Sequence, residues 1–249
     1  MLTFEHLGDW GRLGNQMFKY AALRGIADKN NLSFVIPSKQ SAGKVADEYQ
    51  VIDSFNINAE ISDFVNQETI SEASFAFDEE LFNNCPDNVN LNGGFQSYKY
   101  FEHIADEIRE EFKFKKEYNV PPGDYVAVHV RRGDYAKDPN HHPMLKAEYY
   151  EAAMEHFPGK RMVVVSDDFR WCIEQEVFHR AQIFVGTSNL HDLYLMTKAS
   201  GHIIANSTFS WWGAWLAESE KVIAPKNWFG SALKELDLTD LRPKDWILI

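Results

Sequence analysis

The chain has 249 residues, 45% hydrophobic and 25% charged, which suffices for one large domain or two small ones. Its 37 acidic and 25 basic side chains leave a net charge of −12, which argues against a broad nucleic-acid or anionic-membrane surface. The two cysteines, Cys85 and Cys172, are far apart without metal-ligand spacing, so reduced structural thiols are expected. No run approaches a membrane span, and the N-terminus lacks a basic region followed by an apolar one. A soluble cytoplasmic protein is the expectation.

In chain order, Leu2–Leu7 reads as a short strand, followed by the glycine-punctuated Gly8–Gly14. Asn15–Asn30 reads as a helix, and Leu32–Ile36 as a second strand. Ser38–Asn88 is polar, aromatic and weakly periodic, and its elements cannot be ordered. Asn88–Asn92 suggests a strand ending at Gly93-Gly94. Phe101–Lys116 is expected as a helix with Phe101, Ile104, Ile108 and Phe112 on one face. Val120-Pro121-Pro122-Gly123 breaks that helix and marks a boundary. Strands are then expected at Tyr125–Val130, Met162–Ser166, Gln182–Val185, His202–Ala205 and Val222–Ala224. They alternate with helices beginning near Ala147, Phe169, Asn189 and Phe209. That alternation implies a mostly parallel, helix-covered sheet. The Trp-containing tail Asn227–Ile249 is expected to pack back on the first half.

Val126–Tyr135, VAVHVRRGDY, carries the strongest functional signal. A buried-strand pattern stops at Arg131-Arg132, and such stops usually lie at the carboxyl edge of a sheet, where α/β proteins place their sites. Two guanidiniums there suit a diphosphate. The competing reading is a surface pair bridging to acidic neighbours. Asp134 could orient an arginine, bind a hydroxyl or act as a base. His129 fits a satisfied buried histidine as well as a ligand contact. Gly11–Gln16, GRLGNQ, is a glycine turn at a helix start, either an anion site or a tight turn with Asn15 as cap. Asn206–Trp212, NSTFSWW, follows a strand and opens a helix. There Ser207, Thr208 and Ser210 supply three hydroxyls, more than plain capping needs. Ser166-Asp167-Asp168 either caps a helix or offers a carboxylate to a ribose or base. His141-His142-Pro143 has no third ligand to make a metal site. Asp-x-Asp is absent, so a sugar-nucleotide enzyme of this make-up would neutralise diphosphate with arginines and backbone N–H groups.

These blocks together resemble the bacterial-type α-1,2-fucosyltransferase family. The resemblance rests on GRLGNQMFKYAAL at Gly11–Leu23, GGFQSYKYF at Gly93–Phe101 and HVRRGDY at His129–Tyr135. It continues in HPMLKAEYY at His142–Tyr150, VVVSDD at Val163–Asp168 and DLYLMTKASGHIIANSTFSWWGAWL at Asp192–Leu216. It implies an α/β, GT-B-like fold of two Rossmann-like halves facing each other across a cleft. The expected domains are 1–120 on the acceptor side, 124–226 binding GDP-fucose, and the tail 227–249.

The implied reaction is inverting transfer of L-fucose from GDP-β-L-fucose to the 2-hydroxyl of a terminal galactose, without a metal or other cofactor. Arg131, Arg132, Asp134 and His142 are the candidate catalytic residues, with Asp134 ahead of His142 as base. Asn15, Gln16, His129, Asp167, Asp168, Asn206, Ser207, Thr208 and Phe209 are the candidate donor-binding residues. The implied partners are GDP-fucose and a galactose-containing glycan, with no nucleic acid; a homo-oligomer is left open. Two rivals stand beside this reading: a GDP-sugar transferase with another acceptor or linkage, and a non-catalytic sugar or nucleotide binder.

Overall fold

The computed structural model describes residues 1–9, 11–39, 41 and 49–249. Trp10 in the first glycine turn, and residues 40 and 42–48 within the unordered stretch, lie outside the described residues. The chain divides into one unit of Met1–Lys116 with Leu236–Pro243, and another of Glu117–Glu235 with Lys244–Ile249.

The first unit runs α1 (Leu13–Lys29), β1 (Val35–Ile36), α2 (Val51–Ser54), β2 (Glu60–Ile61), β3 (Glu68–Ser71), α3 (Glu79–Asn83), β4 (Val89–Asn92) and α4 (Ala105–Glu111). β1 pairs parallel with β2, and β3 with β4. The N-terminal residues join these pairs: the Leu2 N–H donates to Ser33 O at 2.7 Å, and the Thr3 N–H to Val89 O at 3.0 Å. The expected strand Leu2–Leu7 is therefore present only in its first residues, because the Leu7 N–H turns back to Phe4 O. α1 begins two residues before its expected start, and Arg12, not Asn15, is its N-cap. Asn15 lies in the first turn against Gly11, whose φ is +133°. A Cβ on Gly11 would stand 2.1 Å from Asn15 Nδ2, so the turn requires glycine. The expected Phe101–Lys116 helix shortens to a 3-10 turn at Glu102–Ile104 and then α4. Its anticipated apolar face of Phe101, Ile104, Ile108 and Phe112 is buried.

The second unit runs β5 (Val126–Val130), α5 (Ala147–Met154), β6 (Met162–Ser166), α6 (Phe169–Glu174), β7 (Gln182–Phe184), α7 (Asn189–Met196), β8 (Gly201–Ile203), α8 (Thr208–Leu216), β9 (Lys221–Ala224) and β10 (Ile247–Leu248). Among the described residues these strands form one parallel sheet in the order β7-β6-β5-β8-β9-β10. Every residue of β5 is buried, as its central position demands. Val126, Val128 and Val130 join Tyr150, Val164, Phe178, Ile203 and Ile223 in one core cluster. Each fully buried aliphatic side chain there contributes about 1.5–3 kcal/mol.

The expectation for 227–249 needs correcting. Only Leu236–Pro243 joins the first unit. The end of the chain instead extends the second sheet, with Ile247 and Leu248 paired to Ile223 and Ala224. Trp246 packs 5.5 Å from Trp211, next to the contacts of Trp211 with Trp212 and Trp215. These four tryptophans build core. Both cysteines are buried and unpaired.

Candidate active site

In the second unit the chain adds strands to one side of β5 through β6 and β7, then returns to the other side through β8. The order therefore reverses between β5 and β8, and ligands in open α/β sheets bind outside the carboxyl ends of strands at such a reversal. β5 ends there in Arg131-Arg132 and a 3-10 turn over Gly133–Lys137. β8 is followed there by Asn206-Ser207 and the start of α8. The two segments touch. Tyr135 donates its hydroxyl to Asn206 O at 2.9 Å, and the His129 ring lies 5.5 Å from Phe209.

The adjacent arginines have different surroundings. Arg131 Nη1 donates to Asp167 Oδ2 at 2.5 Å, its Nη2 is paired with Asp134, and its guanidinium lies 5.1 Å from the Tyr135 ring. Two carboxylates thus match its charge and fix its direction. Arg132 lies with Cζ 4.0 Å from the Trp171 ring centroid and donates only Nε, to Asp168 Oδ2 at 3.3 Å. Stacking and one ion pair hold the planar fork, while its terminal nitrogens meet no acceptor among the described residues. The site therefore contains the surface-pair reading in Arg131 and a donor poised for an anion in Arg132.

Asp167 ties this corner together. Its Oδ1 accepts the Arg132 N–H at 2.8 Å while Oδ2 holds Arg131. That approach requires Gly133, where a Cβ would lie 2.5 Å from Asp167 Oδ2. Asp168 caps α6, accepting the Trp171 N–H at 3.1 Å. Both carboxylates at the end of β6 thus orient the arginines, a role the sequence reading did not assign them. Asp134 takes the orienting role among its three alternatives, paired as it is with Arg131.

Three polar atoms here are buried without a hydrogen-bond partner: His129 Nδ1, His142 Nδ1 and Asn206 Oδ1. Such atoms call for an explanation, and a ligand would supply one. Burial, aided by nearby Arg131, pushes His129 down to about 3 and keeps its ring neutral. His142 stacks on Tyr135 at 4.6 Å and packs on Phe229 at 5.8 Å; burial lowers its pKa below the usual histidine value. Asn206 spends its amide N–H groups on Pro143 O and Trp228 O, both at 3.0 Å, so it braces the site's loops.

Ser207 is the N-cap of α8 but makes no side-chain capping bond, and Thr208 opens the helix. The Ser210 hydroxyl turns back to Ala205 O and Ser207 O, so it leaves the expected trio of hydroxyls and serves the fold. Asn15 and Gln16 belong to the first unit. Gln16 is buried, with Oε1 accepting the Gln50 N–H at 3.1 Å, so it is committed to packing. The loop before α1 wraps around buried Lys19, which donates to His6 O at 2.9 Å and to Asp9 O. Burial lowers that ammonium to about 8.

Sequence reasoning missed Trp171 and Tyr135, the aromatic supports of the two arginines, because lone aromatics in helical or turn contexts carry no distinguishing signal. Among the described residues no group of three or more histidine, cysteine or acidic side chains is placed to hold a metal ion. No helix of the described residues is long and apolar enough to cross a membrane.

This geometry coincides with a family match: the sequence model of glycosyl transferase family 11 fits residues 7–249. The chain belongs to glycosyl transferase family 11. It is 30% identical to an alpha-1,2-colitosyltransferase of Escherichia coli, covering 96% of each chain. It is 28% identical to the galactoside 2-alpha-L-fucosyltransferase SEC1 of Bos taurus, across 85% of this chain and 64% of that protein. Its structure is similar to that of the fucosyltransferase NodZ from Bradyrhizobium, with a TM-score of 0.60 at 12% identity, covering 91% and 94% of the two chains. That likeness shows a shared fold and bears out the expected α/β, GT-B-like class.

Proposed function

We propose that this family member transfers L-fucose from GDP-β-L-fucose to the 2-hydroxyl of a terminal galactose, with inversion at the anomeric carbon. The observation that supports it most is Arg132, stacked on Trp171 at the strand-order reversal with its terminal nitrogens meeting no acceptor among the described residues. In the reaction, the acceptor O2 attacks C1 as the bond from C1 to the β-phosphate oxygen breaks. The bonding pair stays on that oxygen, and GDP leaves. Arg132 and the first N–H groups of α8 meet the charge that develops there, in a site already arranged for it. Arg131, its charge offset by Asp134 and Asp167, braces the turn that presents Arg132.

The acceptor hydroxyl must lose a proton. Asp134 is engaged with Arg131, which places it behind His142 as the base in this reading. His142 is held neutral by burial, and its Nδ1 has no hydrogen-bond partner among the described residues. Guanidiniums and backbone N–H groups supply the positive charge, so no metal is required in this reading.

The name of the bovine relative supports a galactoside acceptor, and that of the E. coli relative supports the 1,2 linkage. The latter also favours a second reading, in which the donor sugar is colitose, the 3-deoxy counterpart of L-fucose. Incubating the protein with GDP-fucose, a galactose-terminated glycan and a chelator, followed by linkage analysis, tests both. An α-1,2-fucosylated product is expected. Product from GDP-colitose alone would move the assignment to the second reading. Transfer that stops with chelator would overturn the metal-free reading, and GDP binding without transfer would leave a nucleotide binder.

A further inference from the structure

The parallel sheet of the second unit ends at β7, which pairs with β6 on one side and with no strand on the other among the described residues. Such an edge offers its N–H and C=O groups to another chain unless a charge, a proline or a covering segment blocks it. Gln182–Phe184 carries no charge and no proline. Val185, the next residue, is 64% exposed. The helix beside this edge is uncovered as well. α6 packs against β6 and β7 through its inner face, where Cys172 is buried and Trp171 joins the core cluster. Its outer face holds Phe169 and Ile173, 40% and 57% exposed, four residues apart and therefore on one side of the helix. Beside them Arg170 and Glu174 are exposed and also four apart. Neither makes an ion pair or a side-chain hydrogen bond among the described residues.

These features complement themselves under a twofold axis. An axis normal to the sheet at the margin of β7 sets two β7 strands antiparallel at the ordinary spacing of about 4.8 Å. α6 is the crossover from β6 to β7 and sits over that pair of strands, about one strand spacing from the axis. Its copy therefore lies about 10 Å away, the distance at which helices pack. The two helices run in opposite directions. Phe169 of one copy then faces Ile173 of the other, and Arg170 faces Glu174, in two symmetric sets. The apolar pairs cover the exposed surface. The charges that flank them are opposite in sign, although each chain carries a net charge of −12.

We propose that the partner of this margin is a second copy of the chain, joined in a twofold dimer through β7 and the outer face of α6. Arg170, Ile173 and Glu174 are exposed, so variants at these positions should fold. Sedimentation velocity over a wide range of protein concentration gives the readout. The wild-type protein should pass from one chain to two as concentration rises. Ile173→Asp should raise the dissociation constant roughly hundredfold, because the twofold axis makes each substitution count twice at a central apolar contact. Arg170→Glu and Glu174→Arg should each weaken the dimer by about tenfold, since either one sets like charges face to face at both ends. An equimolar mixture of those two variants should associate as the wild type does, because each supplies the charge that the other lacks. A helix disturbed only within its own chain could not be rescued by a second chain. A wild-type protein that stays a single chain, a dimer indifferent to Ile173→Asp, or a mixture no stronger than its components would each overturn the assignment.

Discussion

The carboxyl edges of the two sheets use their acidic residues in opposite ways. In the second unit Asp134, Asp167 and Asp168 are all paired with guanidinium groups, and that pairing aims Arg131 and Arg132. In the first unit Asp63 and Glu72 accept backbone N–H groups, from Ser38 and from Gly94 and Phe95. A carboxylate paired with arginine positions a cation for an anionic ligand. A carboxyl group fixed by N–H groups brings no guanidinium with it, so it offers hydrogen-bond acceptors to hydroxyls and no cation to a phosphate. Within one fold class the chemistry of each edge is thus set by what its carboxylates hold.

The sharpest way to break this contrast is to remove Arg132, the cation of the pair held by one carboxylate instead of two. Arg132→Ala should lower kcat by about two to three orders of magnitude, the usual effect of losing one preorganised donor to developing charge. The thermal midpoint should move little, because Arg132 makes one ion pair and one stacking contact. Arg132→Lys keeps the charge but loses the planar fork and its fit to Trp171, so it should recover only part of the rate. A folded Arg132→Ala enzyme with near-normal turnover would remove this residue from the phosphate site.

The next contrast lies between a carboxylate that orients and an imidazole that accepts. His142→Gln should slow turnover by about a hundredfold, the lower range of general-base effects. Asp134→Asn should cost about tenfold by loosening Arg131, a fraction of what a lost donor costs. The pH profile distinguishes the roles. His142 must be neutral to accept a proton, and its lowered pKa keeps it so to lower pH than an ordinary histidine. The wild-type rate should therefore fall only on the acid side of the usual histidine range, and that limb should vanish in His142→Gln. An acid limb that survives in His142→Gln and disappears in Asp134→Asn would return the base to Asp134.

Much of the second unit was legible because its signals are long and repeated. β6 and the starts of α5, α6 and α7 fall where periodicity and capping residues placed them, since buried parallel strands read as continuous apolar runs. The first unit was harder for a physical reason. β1 and β2 have two residues each, and Leu2 and Thr3 join the sheet through single bridges. No period can be read from two residues. α1 is buried from Met17 to Leu23 and so shows no amphipathic stripe. At the site, Arg131 and Arg132 stood out because charge interrupts a core strand. The division of labour between them did not, because it depends on Asp167 and Trp171, some forty residues away in sequence. Glu72, within the unordered stretch, gave no signal at all.

Glu72 offers the smallest effect and the most direct test of the N–H-fixed carboxylate. Its Oε1 accepts from Gly94 at 2.9 Å and from Phe95 at 3.1 Å, and its Oε2 accepts from Phe95 at 3.0 Å. These bonds hold buried Phe95 at a φ of +50°, a conformation a phenylalanine rarely adopts, with its ring edge-on to Phe4 and Tyr100. Burial outweighs the N–H groups and pushes the Glu72 carboxyl up to about 7, with Asp78 adding a smaller repulsion. A raised acid pKa means that the native state keeps a proton which the unfolded chain releases near 4.5. The Glu72 contribution is therefore fully present below that pH and is lost as pH rises to about 7. Glu72→Gln mimics the protonated form, so denaturation midpoints should fall less between pH 5 and pH 8 in the variant than in the wild type. Parallel declines in the two proteins would mean that the three N–H bonds, not burial, dominate at Glu72, and that its carboxylate is charged throughout.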